Sequence, residues 1–317
     1  METNDLLHRI INLPIISTSL ANEMLSGSFK SIFKGQGMEF DEARHYQAGD
    51  DIRTIDWNAS ARFGHPFVKK YREERELTIL LLIDVSPSMF KSDISFHGIN
   101  KQILSPYEQA LISASLIAFS AEHTDQQVGA FFFDKGIEKV FPPRKGRKHI
   151  MSLIMEALQF QNSVKTEGFQ NTSSEPAVGS NIASALTGAQ RLLKKRSLVI
   201  VISDFFSINW EEEMGTLCRK HDCMALRIIS PREIPYPGLI TLEDPETGTR
   251  IEAPAGLDLF KESWDTWHDE RTSLWEAQCK KCAAVYMDLS TEEDAPSALI
   301  KFFNSRSIGQ FRHNKNI

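Results

Sequence analysis

An α/β fold with a mainly parallel central sheet, covered by helices on both faces, is predicted by three features of the sequence. Leu77 to Asp84 (Leu-Thr-Ile-Leu-Leu-Leu-Ile-Asp) and Leu198 to Asp204 are continuous apolar runs of strand length, the pattern of strands buried on both faces. Stretches with apolar residues at helical spacing alternate with such runs over most of the chain. Repeated alternation of this kind builds a parallel sheet whose ligands sit beyond the carboxyl ends of the strands, so the residues just after each apolar run are the ones to inspect.

Taken in order, Asp5 to Lys34 reads as partly helical, interrupted by Pro14, and Gly35 and Gly37 mark a break. Gly37 to Arg75 mixes aromatic and charged residues without clean periodicity. Lys30 to Arg75 holds nine basic and eight acidic residues, a near balance that favours ion pairing over a charged docking face. Residues 1–75 are expected to form a helical and Arg-rich extension packed on a main domain over 76–317.

In that main domain the first central strand, ending at Asp84, is followed by a helix over Tyr107 to His123 and a strand over Val128 to Phe133. A hairpin through Lys135-Gly136 to Phe141 comes next. Helices are predicted over His149 to Phe160 and Ile182 to Lys195, with a polar loop over Gln161 to Gly179 between them. After the strand ending at Asp204, helix and strand alternate twice: Trp210 to His221 before Cys223 to Ile229, and Leu257 to Cys282 before Ala284 to Leu289. Leu239 to Leu242 and Thr249 to Glu252 suggest a small added hairpin, and Asp294 to Ser305 a closing helix.

With 41% hydrophobic and 25% charged residues in 317, the chain is globular material rather than disordered or fibrous. Its net charge of −6, from 36 Lys and Arg against 42 Asp and Glu, gives no general attraction to nucleic acid or anionic membrane, so a protein or small ligand is the expected partner. No apolar run reaches the length of a membrane span, and the acidic start Met1-Glu2-Thr3-Asn4-Asp5 is unlike a secretory signal, so the expectation is a cytoplasmic protein. Cys218, Cys223, Cys279 and Cys282 are then expected to be reduced thiols rather than a zinc site.

Chemistry concentrates after the strands. The first ends in Asp84-Val85-Ser86-Pro87-Ser88, where a carboxylate and two hydroxyls at alternate turn positions can aim their oxygens at one centre. An all-oxygen set suits a hard ion such as Mg²⁺, with Mn²⁺ or Ca²⁺ as alternatives. The second ends in Ile202-Ser203-Asp204, and two parallel strands ending at one edge bring Asp204 near Asp84. Gly179-Ser180-Asn181 offers another hydroxyl ahead of the helix from Ile182, although taken alone that tripeptide is better explained as an N-cap Ser or Asn.

This pattern resembles the metal-ion-dependent adhesion site of von Willebrand factor type A domains. Carried over position by position, the resemblance implies Asp84, Ser86, Ser88, Ser180 and Asp204 as ligands of one divalent cation. Ser180 stands where a Thr is usual, and Phe205 follows Asp204 where Gly is common. A second resemblance spans nearly the whole chain. Arg44-x-Tyr46-x-x-Gly49-Asp50-Asp51-x-Arg53-x-Ile55-Asp56-Trp57, Ser60-Ala61-Arg62, Lys69, Tyr71, Glu74 and Phe302-Phe303-x-x-Arg306 are similar to the bacterial family called domain of unknown function fifty-eight. That likeness implies a non-enzymatic Rossmann-like type A domain partnering a MoxR-type AAA+ ATPase through a partner's acidic side chain. Whether Glu108 or another internal acid fills the open coordination position in the resting state is a question of geometry rather than sequence.

The same chain bears on two other functions. A phosphohydrolase of the haloacid dehalogenase type needs a second Asp two residues after the first, and Ser86 stands there with too tightly held a proton. Nucleic-acid binding would rest on Arg144-Lys145-Gly146-Arg147-Lys148 and Arg191-x-x-Lys194-Lys195-Arg196, short basic runs with few aromatics interleaved for stacking.

Overall fold

The computed structural model describes residues 39–47, 55–72, 77–90, 104–167, 180–230, 239–243, 249–254 and 257–313, with single positions at 10, 13, 17, 18 and 50. The chain divides into two compact units, Lys30–Glu76 and the combination of Met1–Phe29 with Leu77–Ile317.

The smaller unit is a β-hairpin with a short helix, elements that its aperiodic sequence did not announce. Strand β1 (Glu39–His45) pairs antiparallel with β2 (Phe67–Arg72), and α1 (Trp57–Phe63) lies between them in sequence. Asp50 ties it together. Its carboxylate accepts two bonds from the Arg44 guanidinium, at 2.9 and 2.6 Å, and one from Gln47 N–H at 2.9 Å, and these hold its pKa below the ordinary range. Gly49, Asp51, Arg53 and Glu74 lie outside the described residues.

In the larger unit β3 (Thr78–Asp84) runs up the centre, followed by the single turn α2 (Pro87–Phe90) and α3 (Pro106–His123). Then come β4 (Gln127–Phe133), β5 (Ile137–Arg144), α4 (Arg147–Glu167), α5 (Ile182–Leu192), β6 (Leu198–Ser203), α6 (Glu211–Cys218) and β7 (Asp222–Ile229). The chain continues through the hairpin β8 (Leu239–Glu243) and β9 (Arg250–Pro254) to α7 (Asp258–Lys281), β10 (Val285–Ser290) and α8 (Ala295–His313). The six-stranded sheet has the order β10-β7-β6-β3-β4-β5, parallel except for β5 at the edge. The α/β architecture expected from the alternation is the one the chain adopts.

Alternation along the strands explains the two layers. Leu80, Leu82, Val199, Val201 and Ala225 face one side, where they pack with Ile182, Leu186, Met214, Leu217, Trp275 and Cys279 of α5, α6 and α7. On the other side α3 crosses β3, β4, β6 and β7. It is buried from Pro106 to Ala121, as a helix sandwiched between sheet and helices is, and its few polar residues, among them Glu108 and Gln109, are buried with it. Ile10, Leu13 and Ser17 are buried as well, and Ser120 Oγ donates to Ser17 O at 3.1 Å, so part of the N-terminal stretch belongs with this unit.

Helix α4 runs past Phe160 to Glu167, longer than its sequence suggests. The reason is Gln161, read from its polarity as the start of a loop. Its side chain is buried and donates to Glu108 Oε1 at 2.6 Å. Glu108 also accepts from Ser105 N at 3.1 Å in the capping box of α3. The internal acid considered as an occupant of the open ion position is thus engaged at the head of α3.

Candidate functional site

Strand register delivers the expected residues to one edge. Asp84 pairs with Phe133 of β4, and Ile83 pairs with Ile202 of β6, so the residues after β3, β4 and β6 emerge side by side at the carboxyl end of the sheet. Asp84 Oδ1 accepts from Ser86 N at 2.9 Å, curling the chain back over the strand end. The turn brings Ser86 Oγ and Ser88 Oγ to 3.1 Å from each other, and Ser88 reaches across to hydrogen-bond Asp204.

On the β6 side Ser203 Oγ donates to Asp84 Oδ2 at 2.6 Å and accepts from Phe205 N at 2.9 Å. Phe206 N donates to Asp204 Oδ1 at 3.0 Å. The loop before α5 is stitched to the same edge. Asn181 N donates to Asp134 O at 2.6 Å, and Ser207 Oγ donates to Ser180 O. Asn181 Oδ1 caps α5 through Ser184 N at 2.9 Å, so capping falls to Asn181 rather than Ser180. The floor is closed to solvent, with Asp84 and Ser86 at 0% exposure. Ser88, Ser180 and Asp204, at 8%, 6% and 6%, carry what is exposed.

Two carboxylates in so dry a place oppose each other. Burial raises the pKa of Asp84 well above the ordinary carboxylate range and the charge of Asp204 raises it further, against the hydrogen bonds from Ser203 and Ser86. Burial raises Asp204 too, countered by Ser88, Phe206 N and the nearby Arg271 charge. A divalent cation among these oxygens would relieve that opposition, and the donor chemistry is that of a hard ion. Among the described residues no group of three or more His, Cys, Asp or Glu side chains is placed to hold a metal; this set has two carboxylates, and its other oxygens are serine hydroxyls.

Three neighbours of the set were not assigned from the sequence. Ser203 was inside the quoted tripeptide, but nothing local distinguishes a strand-end serine that faces Asp84. Asp134 follows directly on an apolar run and so satisfies the rule for strand ends. Its Oδ1 is buried without a hydrogen-bond partner, and burial raises its pKa. Arg271 comes from the middle of α7, where no sequence signal marks it. Its Nη2 lies 3.5 Å from Asp204 O, and burial pushes its pKa down to about 10 against the attraction of Asp204.

None of the four cysteines forms a disulfide. The basic runs are partly paired within the chain at its surface. Lys145 pairs with Asp125 at 2.8 Å, and Arg196 binds Asp222 through two bonds of 3.0 and 2.7 Å. Among the described residues no helix is long and apolar enough to cross a membrane.

A family model described as "Protein of unknown function DUF58" matches residues 42–271, more than half of the chain. Uncharacterized proteins of Mycobacterium tuberculosis and Mycobacterium bovis are each 27% identical over 293 residues, covering 90% of this chain and 85% of theirs. Among solved structures, proximal thread matrix protein 1 from the mussel byssus is similar at 17% identity and a TM-score of 0.34, covering 49% of this chain and 38% of that one. The PilB minor pilin from Streptococcus sanguinis is similar at 8% identity and a TM-score of 0.36, covering 77% and 64%. The chain spans less than two thirds of either structure, and scores this low carry no functional argument.

Proposed function

The chain belongs to the DUF58 family, and from that premise we propose that it is a cytoplasmic, non-enzymatic binding module that holds one divalent cation to capture a carboxylate of a protein partner. Asp84, Ser86, Ser88, Ser180 and Asp204 are the residues that would hold the ion, with Mg²⁺ the best match to an all-oxygen set poor in charge. The single observation that carries the reading is the pairing of Asp84 and Asp204. These two buried carboxylates come from strand ends separated by more than a hundred residues; burial raises the proton affinity of both, the charge of Asp204 raises that of Asp84 further, and serine hydroxyls bond to each.

When bound, the cation would supply positive charge at an open coordination position, offset by Asp84 and Asp204 but not by the neutral serine hydroxyls, and such a position favours an outside Asp or Glu. The chain's own residues do the rest. Ser203 and Ser86 N fix the two oxygens of Asp84, Ser88 orients Asp204, and the stitched loops hold Ser180 at the same edge. The partner class this fits is a MoxR-type AAA+ ATPase offering an acidic side chain, with the smaller unit and its Arg44–Asp50 tie as a structural extension of the main domain.

Affinity purification with wild type and with Asp84→Ala, each with Mg²⁺ and with EDTA, tests the reading. An AAA+ ATPase retained by wild type with Mg²⁺ alone is the expected result. Retention undiminished by both the substitution and the chelator would remove it.

A further inference from the structure

Beside the proposed ion site a loop leaves apolar side chains in water. The loop from Asp204 to Trp210 has two non-glycine residues in the left-handed region, Phe205 at φ 54° and Asn209 at φ 59°. Between them Phe206 is 53% exposed and Ile208 78% exposed, while their neighbours Phe205 and Trp210 are buried. Across from the loop, α7 presents Trp267, 46% exposed. Isolated exposed apolar residues are ordinary, but here two exposed rings, Phe206 and Trp267, lie against one cation, and Ile208 follows on the same loop.

That cation is Arg271. Its guanidinium lies 3.2 Å from the centroid of the Phe206 ring and 5.4 Å from that of Trp267. Its one hydrogen bond among the described residues is the 3.5 Å contact to Asp204 O. A flat guanidinium held between rings keeps its edge donors for a carboxylate. The arrangement is continuous with the site itself, because Phe206 N bonds the Asp204 carboxylate and Arg271 touches the Asp204 backbone.

We infer that Phe206 and Trp267 against Arg271, with the exposed Ile208 on the same loop, form a recognition shelf that selects, next to the partner's acidic residue, a bulky apolar side chain. The inference rests on the ion reading above and specifies the partner's chemistry: an acidic segment with Leu, Ile, Phe or Trp directly beside its Asp or Glu. Charge complementarity fixes the sign, since the cation and Arg271 both favour an anion. The exposed rings and Ile208 supply the surface that an apolar neighbour would cover.

The test uses random linear peptides displayed on phage, panned on the intact chain with Mg²⁺. Recovered peptides are then titrated by fluorescence anisotropy against wild type, Phe206→Ser/Ile208→Ser and Arg271→Met, with Mg²⁺ and with EDTA. The expected peptides carry an acidic residue flanked by a bulky apolar one, bind only with Mg²⁺, and weaken about tenfold on the double variant. Trp267→Ser, on the helix rather than the loop, reads the same surface should the loop variant fold poorly. Acidic peptides with no apolar neighbour, bound equally by wild type and double variant, would overturn the shelf and leave the ion reading standing. Peptides without an acidic residue that hold on in EDTA would overturn the ion reading itself. Failure to recover any peptide, or self-association of the chain that the double variant abolishes, would overturn the shelf.

Discussion

Asp84 has its two oxygens committed, to Ser86 N and Ser203 Oγ, and still sits in a place that resists its charge. Asp84→Asn preserves the shape and most of the hydrogen bonding while removing that charge. In the metal-free chain at neutral to alkaline pH the variant should be about 1–2 kcal/mol more stable to urea than wild type, and it should no longer bind Mg²⁺. Chemical denaturation and calorimetry read the two effects separately, and a variant that is destabilised yet binds the ion normally would refute the reading of Asp84. Phe205 makes a different point about single residues. It takes up a left-handed φ of 54°, a conformation that favours glycine, and its ring packs against Trp210 and Trp275 at centroid distances of 5.3 and 5.7 Å. Phe205→Gly relaxes the backbone by about 1 kcal/mol but empties that space, so a net loss of about 1–3 kcal/mol is expected from thermal or urea unfolding. The sequence showed the departure from glycine; only the packing of the ring explains how the chain tolerates it.

At the scale of elements, the strands were legible because burial on both faces leaves an unmistakable apolar run, and the helices of the main domain because their spacing repeats. What stayed illegible were elements whose reasons are distant. Gln161 extends α4 by bonding Glu108, a partner 53 positions away. The β1–β2 hairpin has no alternation to betray it. Close approach also leaves no sequence mark: at Gly129, where β4 shifts register against β5, an added Cβ would come within 2.7 Å of Phe141 O and 2.9 Å of Pro143 N. Both are backbone atoms that cannot swing aside, so Gly129→Ala should destabilise by about 2 kcal/mol or more, read as a fall in the urea midpoint at unchanged slope. Another hidden tie joins neighbouring parallel strands. Arg227 of β7, 5% exposed, grips Asp288 of β10 with bonds of 2.8 and 2.6 Å and lies 4.1 Å from the Trp275 ring centroid. Arg227→Met strands the Asp288 carboxylate and should cost about 2–4 kcal/mol, recovered in part by Asp288→Leu in the same chain.

For the whole molecule, the sheet edge was the feature that the sequence located best, since strand ends in a parallel sheet must gather there. Asp84, Ser86, Ser88 and Asp204 met as expected, whereas Arg271 came from a helix whose path over the sheet no local pattern discloses. The electrostatics of that edge set a pH dependence. A carboxyl raised in the folded chain keeps its proton where the unfolded chain, near its ordinary 3.8, has lost it. Asp84 and Asp204 therefore disfavour folding increasingly as pH rises from that value through their raised folded ones, unless a cation compensates. Saturating Mg²⁺ should raise the thermal midpoint by about 2–6 °C at pH 8, and by almost nothing at about pH 4. The most direct measurement is an anomalous difference map from crystals of the intact chain soaked in Mn²⁺. One peak within coordinating reach of Asp84, Ser86, Ser88, Ser180 and Asp204 is the expected result, absent from Asp84→Asn crystals. A map empty at that edge, or with its peak elsewhere on the molecule, would contradict the proposal that these residues form an ion-dependent binding site.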